Sequence, residues 1–346
     1  MPWLNTTIRN IKTNGVAFKN GNCTRFLFGE VVTWLYRPCV ETNKNVFLMK
    51  CLFKIVTTFC SVFGLLSHHS LAQAVPPKVL IVIAHPDDET MFPVTVFKIT
   101  RELKGMVDLV LITDGSGGYN GLVASTYYGL NLTDSVTGRK HLPLIRKKEL
   151  ICSGEIMGIH NFFFLDQIDD FYQLDPTPFI QGKRWDLDVC NKRLDHILNE
   201  GNYDFIFCLV PDEGQHAHHK TATLLAIHAA QRARGEKPIV LGGRALSQES
   251  TFSFSGLKGY TETDVNLNGP IYKVNRSMGF GENNKHSYMI VADWVKSCHK
   301  SQSGDMNASM HRGDLETYFY FNVNGEEGKT KTNALFEALS NSGFSK

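Results

Sequence analysis

The sequence predicts an α/β fold, with a Rossmann-like parallel sheet covered by helices on both faces. Short apolar runs without internal alternation, typical of strands buried on both faces, recur at residues 79–84, 107–113, 162–165, 204–210 and 238–241. Segments of helical length and spacing separate them, at residues 89–103, 144–157, 185–198 and 219–234. Because strand and helix alternate strictly, we expect ligands to bind at the carboxyl ends of parallel strands.

The pattern changes after about Gly243, where Gly, Ser, Asn and Thr become frequent. Strand-like pieces at residues 287–292 and 317–323 indicate a C-terminal α+β addition packed on the same domain. We therefore predict one domain over residues 75–346, divided into an α/β core and this addition at residues 75–243 and 244–346.

The composition excludes a disordered chain and a small disulfide-rich protein, because 42% of the 346 residues are hydrophobic and 20% are charged. The chain has 36 Lys and Arg against 34 Asp and Glu, a net charge of +2. That balance gives no electrostatic footprint for nucleic acid and no general attraction to anionic membranes. We expect no nucleic-acid partner, and the oligomeric state stays open.

Residues 49–74 have the pattern of a signal peptide. Met49 begins a short basic region, residues 55–66 are apolar and uncharged, and Ala72-Gln73-Ala74 is a small-x-small cleavage site. We expect cleavage near Ala74 and export to the periplasm or the extracellular space. The apolar run is shorter than the ~20 residues that span a membrane, and a membrane-anchored form is the alternative.

Residues 1–48 precede this signal and have two interpretations. They are an upstream extension outside the natural product, or a cytoplasmic extension of an anchored form.

Four cysteines follow the signal, namely Cys152, Cys190, Cys208 and Cys298. Their wide spacing predicts neither a zinc knuckle nor a disulfide framework, and Cys208 is expected to be a core residue.

The first predicted strand ends in Ala-His-Pro-Asp-Asp-Glu-Thr, at residues 84–90. The side chains of Asp87 and Asp88 point in different directions, so one can bind a metal while the other faces a substrate. The alternative is a helix N-terminus capped by these carboxylates, which does not explain His85.

Three histidines, His216, His218 and His219, follow the fourth predicted strand. A solvated helix start accounts for one of them but poorly for three. Because two strand ends meet at one crevice, one His and one Asp from the first cluster and one His from the second provide the three protein ligands of a catalytic zinc. Iron or cobalt would also accept these ligands.

These motifs resemble the PIG-L/LmbE family of zinc-dependent deacetylases, which remove acetyl groups from N-acetylglucosaminyl conjugates. The resemblance rests on the Ala-His-Pro-Asp-Asp-Glu turn and the His-x-x-His at residues 216–219, and it covers about residues 77–219. Weaker family-like features are Thr113-Asp114-Gly115, Arg146 with Glu149, and His299-Lys300-Ser301-Gln302.

The resemblance implies that His85, Asp88 and His219 bind zinc. Asp87 would be the general base that activates the metal-bound water and then protonates the leaving amine. His216 would stabilise the oxyanion, and would do so best when protonated.

The resemblance also offers Arg146 and Asp114 as substrate contacts. The alternative for Arg146 is an ion pair with Glu149 or Glu155 on the helix surface. Residues 115–118 are interpreted as a flexible loop at the mouth of the crevice, without a nucleotide-binding spacing. We interpret three acids near the third strand as turn residues rather than sugar ligands, namely Asp166, Asp169 and Asp170.

One position departs from the family pattern. The family has an acidic residue just before the second zinc histidine, where this chain has His218. A histidine cannot raise the basicity of His216 as a carboxylate would. Asp212 or Glu213 would take that role, or the pH optimum would shift. A register in which His218 is the zinc ligand also stays open.

The favoured function is an exported zinc hydrolase that removes the acetyl group from an N-acetylglucosamine-type sugar or conjugate. The alternatives are a zinc amidase that cleaves a larger amide and a carbohydrate-binding relative without turnover. The aglycone is not encoded in these motifs. A membrane contact is expected only if the signal segment is retained as an anchor.

Overall fold

A seven-stranded sheet carries the predicted site. The computed structural model describes residues 75–119, 121–302 and 313–343. Within them the strand order is β3-β2-β1-β4-β5-β9-β6. The strands of this sheet are β1 (Lys78–Ile83), β2 (Met106–Thr113), β3 (Phe162–Gln167), β4 (Phe205–Leu209), β5 (Ile239–Leu246), β6 (Ile271–Asn275) and β9 (Leu315–Tyr320). A separate ribbon pairs β7 (Gly279–Phe280) with β8 (His286–Ser287).

The first five strands are parallel, and the last two are not. Strand β9 pairs antiparallel with β5, and β6 pairs antiparallel with β9. The C-terminal strands therefore extend the same sheet. This mainly parallel architecture confirms the predicted fold class, whereas the division at residue 243 stays a prediction.

Helices cover both faces of the sheet. They are α1 (Pro93–Phe97), α2 (Leu122–Tyr128), α3 (Ser135–Met157), α4 (Thr177–Ile180), α5 (Leu187–Gly201), α6 (Ala217–Arg232), α7 (Met289–Cys298) and α8 (Glu327–Asn341). Alternate residues of β1 face two separate cores, because successive side chains of a strand point to opposite sides. One core contains Ile81 with residues of α3, α7 and α8, and the other contains Val82 with residues of α5 and α6.

Two element predictions need correction. Residues 89–103 do not form one α-helix, because a 3-10 turn at Asp88–Met91, helix α1 and a π-helical turn at Lys98–Glu102 follow one another. Residues 289–292 belong to helix α7 rather than to a strand, since their apolar side chains pack on the sheet at helical spacing. Helix α3 also begins before the predicted residue 144, at a cap where the Thr137 N–H donates to Asp134.

The strand order reverses at β1, which lies between β2 and β4. At such a reversal the connections leave in opposite directions, and a crevice opens at the carboxyl ends of the two strands. The chain leaves β1 into residues 84–88 and leaves β4 into residues 210–219. Both predicted motifs therefore lie at this crevice.

The predicted extension at residues 1–48 and the predicted signal peptide at residues 49–74 lie outside the described residues. Among the helices that the structure describes, none combines the length and the apolar character needed to cross a bilayer.

Cys152 and Cys298 form a disulfide, although the cysteine spacing predicts no disulfide framework. Their Cα atoms are 5.8 Å apart, although 146 residues separate them in sequence. The bond joins α3 to the last residue of α7. Because the packing of these two helices creates the contact, the cysteine spacing carries no signal of it. Cys190 and Cys208 are free and buried, and Cys208 is a core residue as predicted.

Replacing both Cys152 and Cys298 by Ser should lower the Tm by roughly 5–15 °C, because a disulfide that closes a long loop contributes about 2–4 kcal/mol. Differential scanning calorimetry of the oxidised proteins measures the shift. Dithiothreitol should lower the Tm of the wild type and leave that of the double variant unchanged. Equal Tm values for the two oxidised proteins would contradict the prediction.

Candidate metal centre

A cavity of about 400 Å³ opens at the carboxyl ends of β1 and β4. It brings together six of the seven site residues that the sequence predicts, namely His85, Asp87, Asp88, Arg146, His216 and His219. Three elements contribute them, namely the β1 turn, helix α3 and the start of helix α6. The cavity is thus assembled from segments that are up to 134 residues apart.

Three of these side chains form a compact triangle of ligand atoms. Nδ1 of His85 lies 2.9 Å from Nε2 of His219, and this Nε2 lies 3.1 Å from Oδ1 of Asp88. Nδ1 of His85 lies 3.8 Å from the other Asp88 oxygen, Oδ2, and the three residues offer ligand atoms that all lie within 4.8 Å of one another. Ligands that hold tetrahedral zinc at ~2.0–2.2 Å lie about 3.3 Å from one another. These edges and the His2Asp donor set therefore fit a divalent metal.

The backbone fixes the carboxylate of Asp88 from behind. Its Oδ2 accepts hydrogen bonds from the N–H groups of Ala84 and His85, at 3.0 and 2.8 Å. Burial opposes ionisation, but the charges and side-chain hydrogen bonds of His219 and His85 hold the pKa of Asp88 well below its usual range. The second oxygen is left to face His219, so the carboxylate is ionised and directed as a metal ligand requires.

Asp87 occupies a strained backbone conformation, with φ of 147°. Non-glycine residues adopt positive φ rarely, and such strain clusters at functional sites. The turn directs the Asp87 carboxylate into the cavity while Asp88 faces the histidines. The two neighbouring acids therefore point to different partners, as the sequence predicts.

A hydrogen bond selects the tautomer of His219. Its Nδ1 lies 2.8 Å from Oε1 of Gln215, an acceptor, so Nδ1 carries the proton. The lone pair of Nε2 is then free to face Asp88 and His85. Metal-binding histidines commonly donate their second ring N–H to such a partner.

The surroundings of His85 favour a positive charge. Burial opposes the imidazolium form, but the carboxylates of Asp169 and Asp88 outweigh it and raise the pKa of His85 to about 10. Protons and metal ions compete for the same ring nitrogen. A pocket that retains a proton this strongly offers a divalent cation a favourable potential.

Arg146 is buried and contacts the Asp87 carboxylate, with Nη2 3.3 Å from Oδ1. It also donates to the carbonyl oxygens of Pro86 and Gly115. This position overturns the alternative of a surface ion pair with Glu149 or Glu155. Burial raises the pKa of Asp87 to about 6, although the Arg146 charge lowers it.

His216 begins helix α6, where its Nδ1 accepts the backbone N–H of His218 at 3.0 Å. An accepting nitrogen carries no proton, so the proton of the neutral ring lies on Nε2. Burial and the neighbouring histidines lower the pKa of His216 to about 3. In this environment the ring is neutral and offers an N–H donor, whereas the protonated form would be the better oxyanion stabiliser.

Neither predicted acid orients His216. Asp212 accepts a hydrogen bond from Arg244, and Glu213 accepts the backbone N–H of Lys258. Both carboxylates are thus used by other groups. The contact to the His216 ring nitrogen comes from the helix backbone instead.

Asp169 was interpreted as a turn residue, yet it is 4% exposed at the base of the cavity. Its Oδ1 lies 3.4 Å from Nε2 of His85 and 3.5 Å from Nδ1 of His218. Its Oδ2 accepts the Gly117 N–H at 2.9 Å. The sequence feature that could have identified Asp169 is its place just beyond β3, at the same sheet edge as the two motifs.

The other two acids near β3 have different surroundings. Asp166 is exposed and pairs with Lys147, while Asp170 lines the cavity and pairs with Arg184.

Asp114 is the predicted site residue that the structure places elsewhere. Its Oδ1 accepts the backbone N–H groups of Ser116 and Asp169, at 2.9 and 3.2 Å. The cavity lining does not include it. Its role as a substrate contact is therefore corrected, because the carboxylate holds the glycine-rich loop against the loop after β3.

The glycines of that loop allow close packing rather than free movement. A Cβ on Gly117 would lie 2.8 Å from the Asp169 carboxylate and 2.9 Å from the Asp169 carbonyl oxygen. Gln302, which also lines the cavity, donates to the carbonyl oxygen of Gly118 at 3.1 Å. The described part of the loop is thus held from two sides at the cavity mouth.

The residues after α7 attach to the β1 motif through buried acids. Nε2 of His299 lies 2.5 Å from Oε1 of Glu89, which also accepts the hydroxyl of Ser153. Ser301 donates its N–H and its hydroxyl to Glu149. These contacts carry Gln302 to the cavity, and no local sequence pattern shows them.

Part of this chain resembles a known protein family. Residues 80–230 match the PIG-L family model, which is described as GlcNAc-PI de-N-acetylase. This segment is similar to the PIG-L family. It contains the β1 motif, Arg146, Asp169 and all three histidines of the α6 motif.

One curated relative is the probable N-acetyl-alpha-D-glucosaminyl L-malate deacetylase 2 of Bacillus cereus, 26% identical over 163 residues. The match covers 47% of this chain and 65% of that relative. The chain therefore spans about two thirds of the length of the curated relative that it matches.

Solved structures also resemble the chain. N,N'-diacetylchitobiose deacetylase from Pyrococcus horikoshii has a TM-score of 0.46 at 16% identity, covering 75% of this chain and 91% of that one. The A40926 pseudoaglycone deacetylase Dbv21 has a TM-score of 0.45 at 16% identity, with coverage of 71% and 97%.

Replacing Gly117 by Ala should destabilise the protein by about 1–3 kcal/mol, because the added methyl group meets fixed backbone and forces Asp169 to move. Urea denaturation of the metal-free protein measures the change. Gly214→Ala is the matched control, since its Cβ would meet only the end of the Asp212 side chain at 3.3 Å. Equal stability of the two variants would contradict the packing argument.

Proposed function

We propose that the protein is a metal-dependent N-deacetylase, a hydrolase that removes the acetyl group from an N-acetylglucosamine-type sugar or conjugate. The observation that carries this proposal is the triangle of His85, Asp88 and His219, with the Asp87 carboxylate directed into the same cavity. The family match and the curated relative support an amide of this class.

His85, Asp88 and His219 would hold the metal, for which we propose zinc, with Fe²⁺ or Co²⁺ as alternatives for the same donor set. When bound, such a metal polarises an amide carbonyl and lowers the pKa of an adjacent water. The chain itself keeps these ligands in register through the backbone contacts of Asp88 and the Gln215 contact of His219.

Asp87 is the proposed general base. It would accept a proton from the attacking water and return that proton to the amine nitrogen as the amide C–N bond breaks. Acetate and the free amine are then the products, and the carboxylate is regenerated. The Arg146 guanidinium supports this role, because its charge keeps Asp87 ionised although the carboxyl group is partly buried.

His216 is the proposed stabiliser of the tetrahedral oxyanion. Its Nδ1 is occupied by the helix backbone, so the neutral ring directs its single N–H from Nε2. Tyr172 lies beside it, with ring centroids 5.0 Å apart, and also lines the cavity. A fixed donor of this kind acts without reorganisation when charge develops.

We also propose that the protein is exported. The predicted signal at residues 49–74 motivates this, and the Cys152–Cys298 disulfide supports it, because such bonds persist in oxidising compartments.

Purified protein loaded with zinc should release acetate from a panel of N-acetylglucosamine compounds that includes diacetylchitobiose and N-acetylglucosaminyl malate. Asp87→Asn should keep the metal and lose roughly 10²–10⁴-fold in kcat, because it retains the shape but cannot accept the proton. His85→Ala should lose both metal and activity. Acetate assays and metal analysis are made on the same samples.

Asp166→Asn is the matched control, since Asp166 is exposed and pairs with Lys147 outside the cavity. It should keep both the metal and the turnover. A zinc-loaded wild type that releases no acetate from any compound would favour a different amide or a binding function. A wild type that binds no metal would refute the proposed centre.

Arg146→Gln should move the acidic limb of the kcat/KM profile to higher pH. The base must be ionised, activity falls as pH drops through its pKa, and loss of the Arg146 charge raises that pKa. Arg139→Gln is the control, because Arg139 lies on the same helix and contacts Ser116 and the Asp169 carbonyl oxygen instead. Coincident profiles for all three proteins would exclude Asp87 as the titrating base.

A further inference from the structure

We propose that His218 is a positioning residue that fixes the ring of the metal ligand His85. It would do so by accepting the Nε2–H of that ring at its own Nδ1. The inference rests on the proposed metal centre, and it assigns a function to the one position at which the chain departs from the family pattern.

The two nitrogens of His85 face different surroundings. Nδ1 faces Asp88 and His219, whereas Nε2 lies 3.0 Å from Nδ1 of His218. A neutral imidazole has one lone pair and one N–H. If Nδ1 offers its lone pair to a metal, Nε2 must carry the proton and needs an acceptor.

His218 Nδ1 is the nearer of two acceptors for that proton. Its distance of 3.0 Å lies within the usual range for a hydrogen bond, whereas Asp169 Oδ1 lies 3.4 Å away. Both acceptors are on the side of the ring opposite the metal triangle. This is the position of the outer partner that orients a metal-binding histidine.

The pocket around His218 indicates that its nitrogen, rather than its bulk, is needed. The side chain is fully buried, with ring centroids 4.5 Å from Phe179 and 5.1 Å from Trp185. Its Nε2 has no hydrogen-bond partner among the described residues. An unpaired buried polar group costs about 1–3 kcal/mol, and a phenylalanine would fill this aromatic pocket without that cost.

The fixed carboxylate of Asp169 completes the arrangement. Its Oδ2 is held by the Gly117 N–H, and its Oδ1 lies 3.5 Å from His218 Nδ1. The His85 Nε2–H therefore points between two acceptors that neighbouring elements hold in place. Rotation of the His85 ring would break this contact and move Nδ1 out of the metal triangle.

Two variants of the full-length protein separate the acceptor from the ring. His218→Phe keeps an aromatic ring between Phe179 and Trp185 and removes the acceptor. His218→Asn keeps an oxygen near the position of Nδ1 and removes the ring. Zinc affinity is measured by competition with a chromophoric chelator, and the Tm of the metal-free protein is measured separately.

We expect His218→Phe to weaken zinc binding by about 10–100-fold, the usual effect of losing an outer partner, with no loss of metal-free Tm. His218→Asn should bind zinc within about threefold of the wild type and have the lower Tm. The d–d absorption of bound Co²⁺ should change in His218→Phe and remain close to wild type in His218→Asn.

Several results would overturn the inference. Unchanged zinc affinity in His218→Phe would mean that His218 is only a packing residue. The same conclusion would follow if the loss of zinc affinity in the two variants simply parallels their loss of Tm. Two zinc ions in the wild type and one in His218→Phe would make His218 a ligand, together with His85 and His216. A wild type that binds no zinc would refute both the inference and the proposed function. The other outcomes require a wild type that binds zinc, and they refute the inference alone.

A measurement without substitution keeps the test valid if a variant fails to fold. Nitrogen-15 NMR of the zinc-loaded wild type reports which ring nitrogen of His218 carries the proton. We expect an unprotonated Nδ1 with the shift of a hydrogen-bond acceptor. A protonated Nδ1 would overturn the inference.

Discussion

The candidate centre depends on the orientation of one imidazole ring, that of His85. The reversal of strand order at β1 places this ring against the start of α6, where His219 faces its Nδ1 and His218 faces its Nε2. The orientation of the imidazole ring matters because a histidine binds a metal through a single lone pair. Asp88 and His219 are fixed in the same way by backbone and Gln215. The protein thus uses hydrogen bonds behind each ligand to specify the geometry in front of it.

The wall behind the centre combines the matched family region with a segment beyond it. Ser153 from inside that region and His299 from beyond it converge on the buried carboxylate of Glu89, which follows Asp87 and Asp88. Their chain neighbours Cys152 and Cys298 are joined covalently. The disulfide therefore lies next to the contact that holds the β1 turn in place. Glu89 in turn lies two residues after Asp87, whose backbone is strained.

The sequence was sufficient to predict the sheet, and six of the seven site residues that it singles out line one cavity. Apolar runs identify buried strands, and parallel topology brings strand ends together, so motifs such as that of His85 acquire a common location. Contacts made only by tertiary packing were not predictable. The Cys152–Cys298 pair and the Asp169 contacts with two histidines belong to that class. Asp114 failed for the opposite reason, because a local turn uses the carboxylate that a motif assigned to substrate.

The contact between Asp169 and residue 218 also limits which side chains position 218 can hold. An acid at position 218 would lie directly against the Asp169 carboxylate, inside a pocket walled by Phe179 and Trp185. Two buried carboxylates at that distance cannot both be ionised without a large penalty. An acid at position 218 would therefore retain a proton or force one onto Asp169, whereas the histidine leaves the Asp169 charge to His85.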